Sequence, residues 1–150
     1  MPKGKLIAIG GAEDKGTDLE LGVVNRNNLN FFELGILKNI VAEMPRANSR
    51  IEVITTASSI PAEVGTNYLH AFGLIDCQNI GVLDIRNRDD VNRKDFIERV
   101  KQADAVMFTG GNQYRLTSIF GGTEMIDIIK HRYENEPDFL IAGTSAGAMA

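Results

Sequence analysis

The feature that most restricts how this chain can fold is an alternation. Short apolar runs rich in β-branched residues recur between longer segments whose apolar residues repeat at helical spacing. Strands separated by helices cannot pair through tight hairpins. The pattern therefore predicts an α/β fold: a three-layer α/β/α sandwich with a mostly parallel sheet and helices on both faces. Strands are expected at residues 5–9, 51–55, 79–83, 105–109 and 139–143. A helix is expected over 29–44, where Phe31, Phe32, Leu34, Leu37 and Ile40 recur every three or four residues before Pro45. Pro61 suits the first turn of a second helix running to about residue 72, since a first-turn N–H has no helical partner to lose. Asp89 or Asp90 is expected to cap a third helix that turns Val91, Phe96 and Val100 inward and ends near residue 102. A last helical region, broken at Gly121-Gly122, should reach about residue 134.

With 150 residues the chain has the length of one domain. Its 43% hydrophobic and 24% charged residues match an ordinary globular protein and argue against disorder. No apolar run approaches the roughly 20 residues needed to span a bilayer, so no membrane association is expected. The N-terminus enters the first strand without a signal-peptide pattern, which points to a cytoplasmic protein. The net charge of −4 is mild and the basic residues are scattered, which disfavours nucleic acid as a partner. A single cysteine, Cys77, allows no internal disulfide and sits in no metal-ligand spacing, so it reads as a small buried residue. Neither a metal nor an organic cofactor is expected. A homodimer is left open.

In open parallel sheets, ligands gather outside the carboxyl ends of the strands. The loops after the first, fourth and fifth strands there read Gly10-Gly11-Ala12-Glu13-Asp14-Lys15, Thr109-Gly110-Gly111-Asn112-Gln113 and Gly143-Thr144-Ser145-Ala146-Gly147. The last matches G-x-S-x-G and follows an apolar strand directly, the context in which a sharp strand-to-helix turn exposes a serine hydroxyl. Ser145 is then a nucleophile, and the Ala146 N–H at the helix start points to where an oxyanion would form. A second donor is expected from Gly110-Gly111, with Asn112 and Gln113 able to hydrogen-bond a peptide group. The competing reading makes Ser145 a helix cap in a turn whose small residues only permit close packing. The loop after the first strand is not G-x-G-x-x-G and gives little support to a dinucleotide site; Glu13, Asp14 and Lys15 read equally well as a solvated turn.

Taken together, GGAEDKG, FTGGNQ and GTSAGA, in that order along the chain, resemble the cyanophycinase branch of the S51 serine peptidases. The resemblance runs over essentially the whole sequence. It implies a fold similar to class I glutamine amidotransferases, with serine in place of their cysteine. It further implies Ser145 as the nucleophile, Gly111 and Ala146 as oxyanion donors, and Gln113 as a substrate contact; Gly110, Asn112 and Thr144, in the same two loops, are expected to bind substrate beside it. The implied substrate is cyanophycin, a polymer of β-linked aspartyl-arginine units, or a similar peptide. The related aspartyl dipeptidases usually carry tryptophan where Thr144 stands, and this chain has no tryptophan.

A serine nucleophile needs a base, and only His70 and His131 are present; both fall within expected helices and read as surface residues. In the family the histidine and its acidic partner follow the nucleophile, so the 150 residues are expected to be the N-terminal portion of a longer catalytic domain. The rival readings are an aspartyl dipeptidase or another S51 peptidase, and a non-catalytic flavodoxin-like module binding a ligand at the same strand ends.

Overall fold

A computed structural model describes residues 1–10 and 35–150. Its strands are β1 (Lys5–Ile9), β2 (Ile51–Ile54), β3 (Ile80–Leu83), β4 (Ala105–Phe108) and β5 (Leu140–Thr144). They form one sheet in the order β1-β5-β4-β2-β3, with every pair parallel. The expected parallel α/β sheet is therefore present, and each strand lies within one residue of its expected limits.

Helix α1 is seen over 35–42, while the earlier part of the helix expected from residue 29 lies outside the described residues. The other helices are α2 (Pro61–Gly73), α3 (Arg88–Val91), α4 (Lys94–Gln102), α5 (Gln113–Phe120), α6 (Glu124–Asn135) and α7 (Ala146–Met149). Parallel strands buried on both faces need apolar residues on both, and two separate clusters supply them. On one face Leu37 and Ile40 of α1, with Tyr68, Ala71 and Phe72 of α2, cover Ile51, Val53, Ala105, Met107, Leu140 and Ala142. On the other, α3 to α7 cover Ile54, Leu83, Val106 and Phe108 through residues such as Val91, Phe96, Val100, Leu116, Phe120 and Ile129. The result is a three-layer sandwich.

Pro61 opens α2 as expected, and the last helical region breaks between Phe120 and Glu124, at the glycine pair. One expectation needs correcting. The segment expected as a single helix from Asp89 or Asp90 to residue 102 is two helices, and its cap is Asn87. The Asn87 side-chain oxygen accepts from the N–H groups of Asp89 and Asp90 at 2.8 and 3.0 Å, and the Asp90 carboxylate accepts from the Asn87 N–H at 3.2 Å. Asn87 wins because this reciprocal pair satisfies donors on both sides of the helix start.

The amino end of the sheet carries a buried charge. Glu52, the second residue of β2, is fully buried and receives Arg50 at 2.6 and 2.9 Å and Arg99 at 2.5 and 3.1 Å. Gly81 on β3 makes room, since a Cβ there would lie 2.7 Å from the Glu52 carboxylate. Two guanidinium groups on one carboxylate are what allow that charge to leave water.

Candidate active site

The carboxyl end of the sheet opens because adjacent strands send their next helices to opposite faces. After β1 the chain reaches α1 on one face, whereas β5 leads into α7 on the other; β2 and β4 diverge in the same way through α2 and α5. Crevices form where such divergence occurs. Beside them lie the loops carrying Ser145 and Gly110-Gly111.

Ser145 stands between the last residue of β5 and the first of α7 at φ 46 and ψ −113, a left-handed conformation that few L residues adopt. It is half-exposed, and its side chain makes no capping hydrogen bond to α7. The helix-cap reading therefore lacks the bond that would define it. The turn is held by the Ser145 N–H donating to the Ile9 carbonyl at 3.1 Å and by the Ala148 N–H returning to the Ser145 carbonyl at 3.0 Å. Both flanking glycines have a steric reason. A Cβ on Gly143 would come within 2.6 Å of the Gly147 carbonyl carbon, and one on Gly147 within 2.7 Å of the Phe108 carbonyl carbon. The close packing invoked by the competing reading is real, and it coexists with an exposed, strained serine.

The Gly110-Gly111 loop is strapped to the loop after β2. Thr109 N–H donates to the Ile54 carbonyl at 3.1 Å, Asn112 N–H to the Ala57 carbonyl at 2.9 Å, and Arg115 Nη1 to the Ser58 carbonyl at 3.2 Å. Gly111 has φ 138, and a Cβ there would lie 2.9 Å from the Ser58 nitrogen, so only glycine fits. Among the described residues no backbone carbonyl accepts from the Gly111 N–H. Ala146 is the first residue of α7, where an N–H has no partner within the helix. Asn112, itself exposed, uses its side-chain oxygen to cap α5, accepting from the Tyr114 N–H at 2.9 Å; Gln113 follows, half-buried, as the first residue of α5. α5 and α7 are in contact, so the two loops share one neighbourhood.

Thr144 differs from the others. It is 2% exposed, and its hydroxyl has no hydrogen-bond partner among the described residues. Thr55 and Thr109, equally buried and unpartnered, occupy the corresponding positions just after β2 and β4, so three orphaned hydroxyls form a row under the loops. Sequence reasoning missed this row because each threonine looks like an ordinary strand end; only the register aligns them.

His70 lies in the last turn of α2 and His131 late in α6, both exposed. Each of these helices leads back to the amino end of the following strand, which puts both histidines at the end of the sheet away from Ser145. His131 instead bonds Asn135, four residues on. Residues Gly11 to Lys15 lie outside the described residues. No group of three or more potential metal ligands occurs among the described residues, and no described helix is long and apolar enough to cross a membrane.

An α/β/α sandwich that presents a strained serine between two sterically required glycines, beside a glycine loop, defines a class: chains carrying a sharp strand-to-helix serine turn at the carboxyl end of a parallel sheet. Comparison with known proteins narrows the class. The model of peptidase family S51 matches residues 29–150, and the chain belongs to that family. It is 30% identical over 146 residues to the cyanophycinase of Trichormus variabilis and 30% identical over 146 residues to that of Geminocystis herdmanii. Each match covers 97% of this chain but only 44% and 48% of the relative, so the chain spans less than half the length of these proteins. Among solved structures, a peptidase from an acI-B1 Actinobacterium matches 99% of this chain and 56% of its own, with a TM-score of 0.67 at 21% identity, a likeness of fold.

Proposed function

We propose that Ser145 is the nucleophile of a serine peptidase that cleaves β-aspartyl-arginine units from cyanophycin or a similar peptide. The observation that carries this reading is the backbone of Ser145. Strain of this kind costs about 1–3 kcal/mol and persists where the surroundings impose it, as Gly143 and Gly147 do here. The names of the relatives supply the substrate.

The hydroxyl oxygen of Ser145 attacks the carbonyl carbon of the scissile bond and its proton passes to a histidine base, a role that neither His70 nor His131 is placed to fill. The negative oxygen that forms is held by the N–H groups of Ala146 and Gly111. The amine then leaves with the proton, giving an acyl-serine, and water releases the acid and regenerates the hydroxyl. Losing one such donor typically costs about 3–4 kcal/mol of transition-state stabilisation. Gly110, Asn112 and Gln113 present backbone and amide groups to the substrate, while buried Thr144 supports the turn from below. The chemistry requires no metal or organic cofactor. The protein acts on peptide, not on nucleic acid or membrane, and in the cytoplasm; a homodimer is compatible with this.

A fluorophosphonate probe tests the reading in the whole protein, where the base is expected: the adduct should map to Ser145 and vanish in Ser145→Ala. In the whole protein, Ser145→Ala should lower release of dipeptide from cyanophycin by about 10⁴-fold or more with an unchanged circular dichroism spectrum. Turnover retained in that variant would exclude the mechanism.

A further inference from the structure

The half-buried arginines among the described residues are Arg50, Arg99, Arg115 and Arg132. Three face a carboxylate: Arg50 and Arg99 share Glu52, and Arg132 pairs with Glu136 at 2.7 Å. Arg115 alone has no carboxylate among the described residues. Its Nη1 donates to the neutral carbonyl of Ser58. A guanidinium drawn partly out of water without a counter-ion is costly unless something supplies one.

Its position gives that charge a use. Arg115 lies in the first turn of α5 and reaches the loop after β2, next to the point where Gly111 crosses Ala57. The stretches 55–60, 109–115 and 144–150, which surround the serine turn and the glycine loop, contain no other charged residue. The Ser58 carbonyl occupies one donor of a group that has five, leaving a planar face of N–H groups suited to bidentate pairing.

We propose that Arg115 is a substrate-binding residue that takes a carboxylate of the substrate close to the bond cleaved. This rests on the reading of Ser145 as the nucleophile, yet it is tested apart from it. Amide resonances of the ¹⁵N-labelled chain are followed while Nα-acetylarginine, which carries the α-carboxylate that a β-linked aspartyl-arginine unit keeps free, is added; the isosteric Nα-acetylargininamide, which lacks that carboxylate, is the control. The acid should shift the Ser58, Gly111, Asn112 and Arg115 Nε signals saturably, and the amide should bind about tenfold more weakly or worse. Arg115→Gln, which can still donate to Ser58 but carries no charge, should lose about tenfold in affinity for the acid with the rest of its spectrum preserved, and Arg115→Lys should recover part of it. Equal binding of the two probes, no saturable binding, or Arg115→Gln binding as tightly as the parent overturns the proposal. Ser145→Ala should bind the acid unchanged, so a failure of the acyl-enzyme reading would show in probe labelling and not in this titration.

Discussion

Replacing Gly147 by alanine gives the most direct physical test of the serine turn. The new Cβ would sit 2.7 Å from the Phe108 carbonyl carbon, 2.8 Å from the Phe108 Cβ, and closer still to the carbonyl oxygen. Carbon atoms prefer separations of roughly 3.5–4.0 Å, so the main chains of β4 and α7 must part by the better part of an ångström. Neither can move freely. Phe108 is paired to Ile54 on one side and to Gly143 on the other, and the start of α7 is tied to β1 through the Ser145 N–H. Overpacking typically costs 1–3 kcal/mol, and rigid backbone on both sides places this substitution near 3 kcal/mol. At about 2–4 °C per kcal/mol for a chain of this size, the melting temperature should fall by roughly 6–12 °C in a calorimetric scan. Gly73→Ala is the matched control. Nothing lies within 4 Å of its added methyl, so the same chemical change at the end of α2 should be neutral or stabilise by up to about 1 kcal/mol. A Gly147→Ala chain melting within a degree or two of the parent would refute the argument that close packing of α7 on β4 requires this glycine.

Other expectations follow from single observations. Ser145→Gly should raise stability by about 1 kcal/mol in urea unfolding, because glycine adopts φ 46 without the strain a side chain brings, while abolishing fluorophosphonate labelling of the whole protein. Glu52→Gln should lower stability by about 3–5 kcal/mol in the same assay, since it leaves Arg50 and Arg99 facing each other without their buried counter-charge. Burial pushes the Cys77 thiol above its ordinary value, with a smaller opposing hydrogen bond from the Asn79 backbone. Cys77 should therefore react with Ellman's reagent far more slowly in the folded chain than in denaturant. The folded state also favours the protonated thiol, so this contribution to stability is present below the ordinary thiol pKa and is lost as pH rises beyond it, measurable as a lower unfolding midpoint that is absent in Cys77→Ala.

What the sequence by itself determined is what local spacing encodes. Alternation of β-branched runs with helical periodicity sets the strands and most of the helices, because side-chain direction along a strand or helix depends on near neighbours. The G-x-S-x-G turn was legible for the same reason: a glycine, a serine and a glycine after an apolar strand describe a local bend. The division of α3 from α4 was less legible, because Asn87 competes with Asp89 and Asp90 for the same role and only the reciprocal hydrogen bonds decide between them. Tertiary structure alone placed β5 between β1 and β4, which brings Ser145 beside Ile9 on one side and the Gly110-Gly111 loop on the other. It alone joined Arg99 to Glu52, 47 residues apart, and Arg115 to Ser58, 57 residues apart. No local pattern marks such partners, because a long side chain meets whatever the register of distant strands sets opposite it. The row formed by Thr55, Thr109 and Thr144 has the same origin: three unremarkable strand ends become one feature when parallel pairing brings them level.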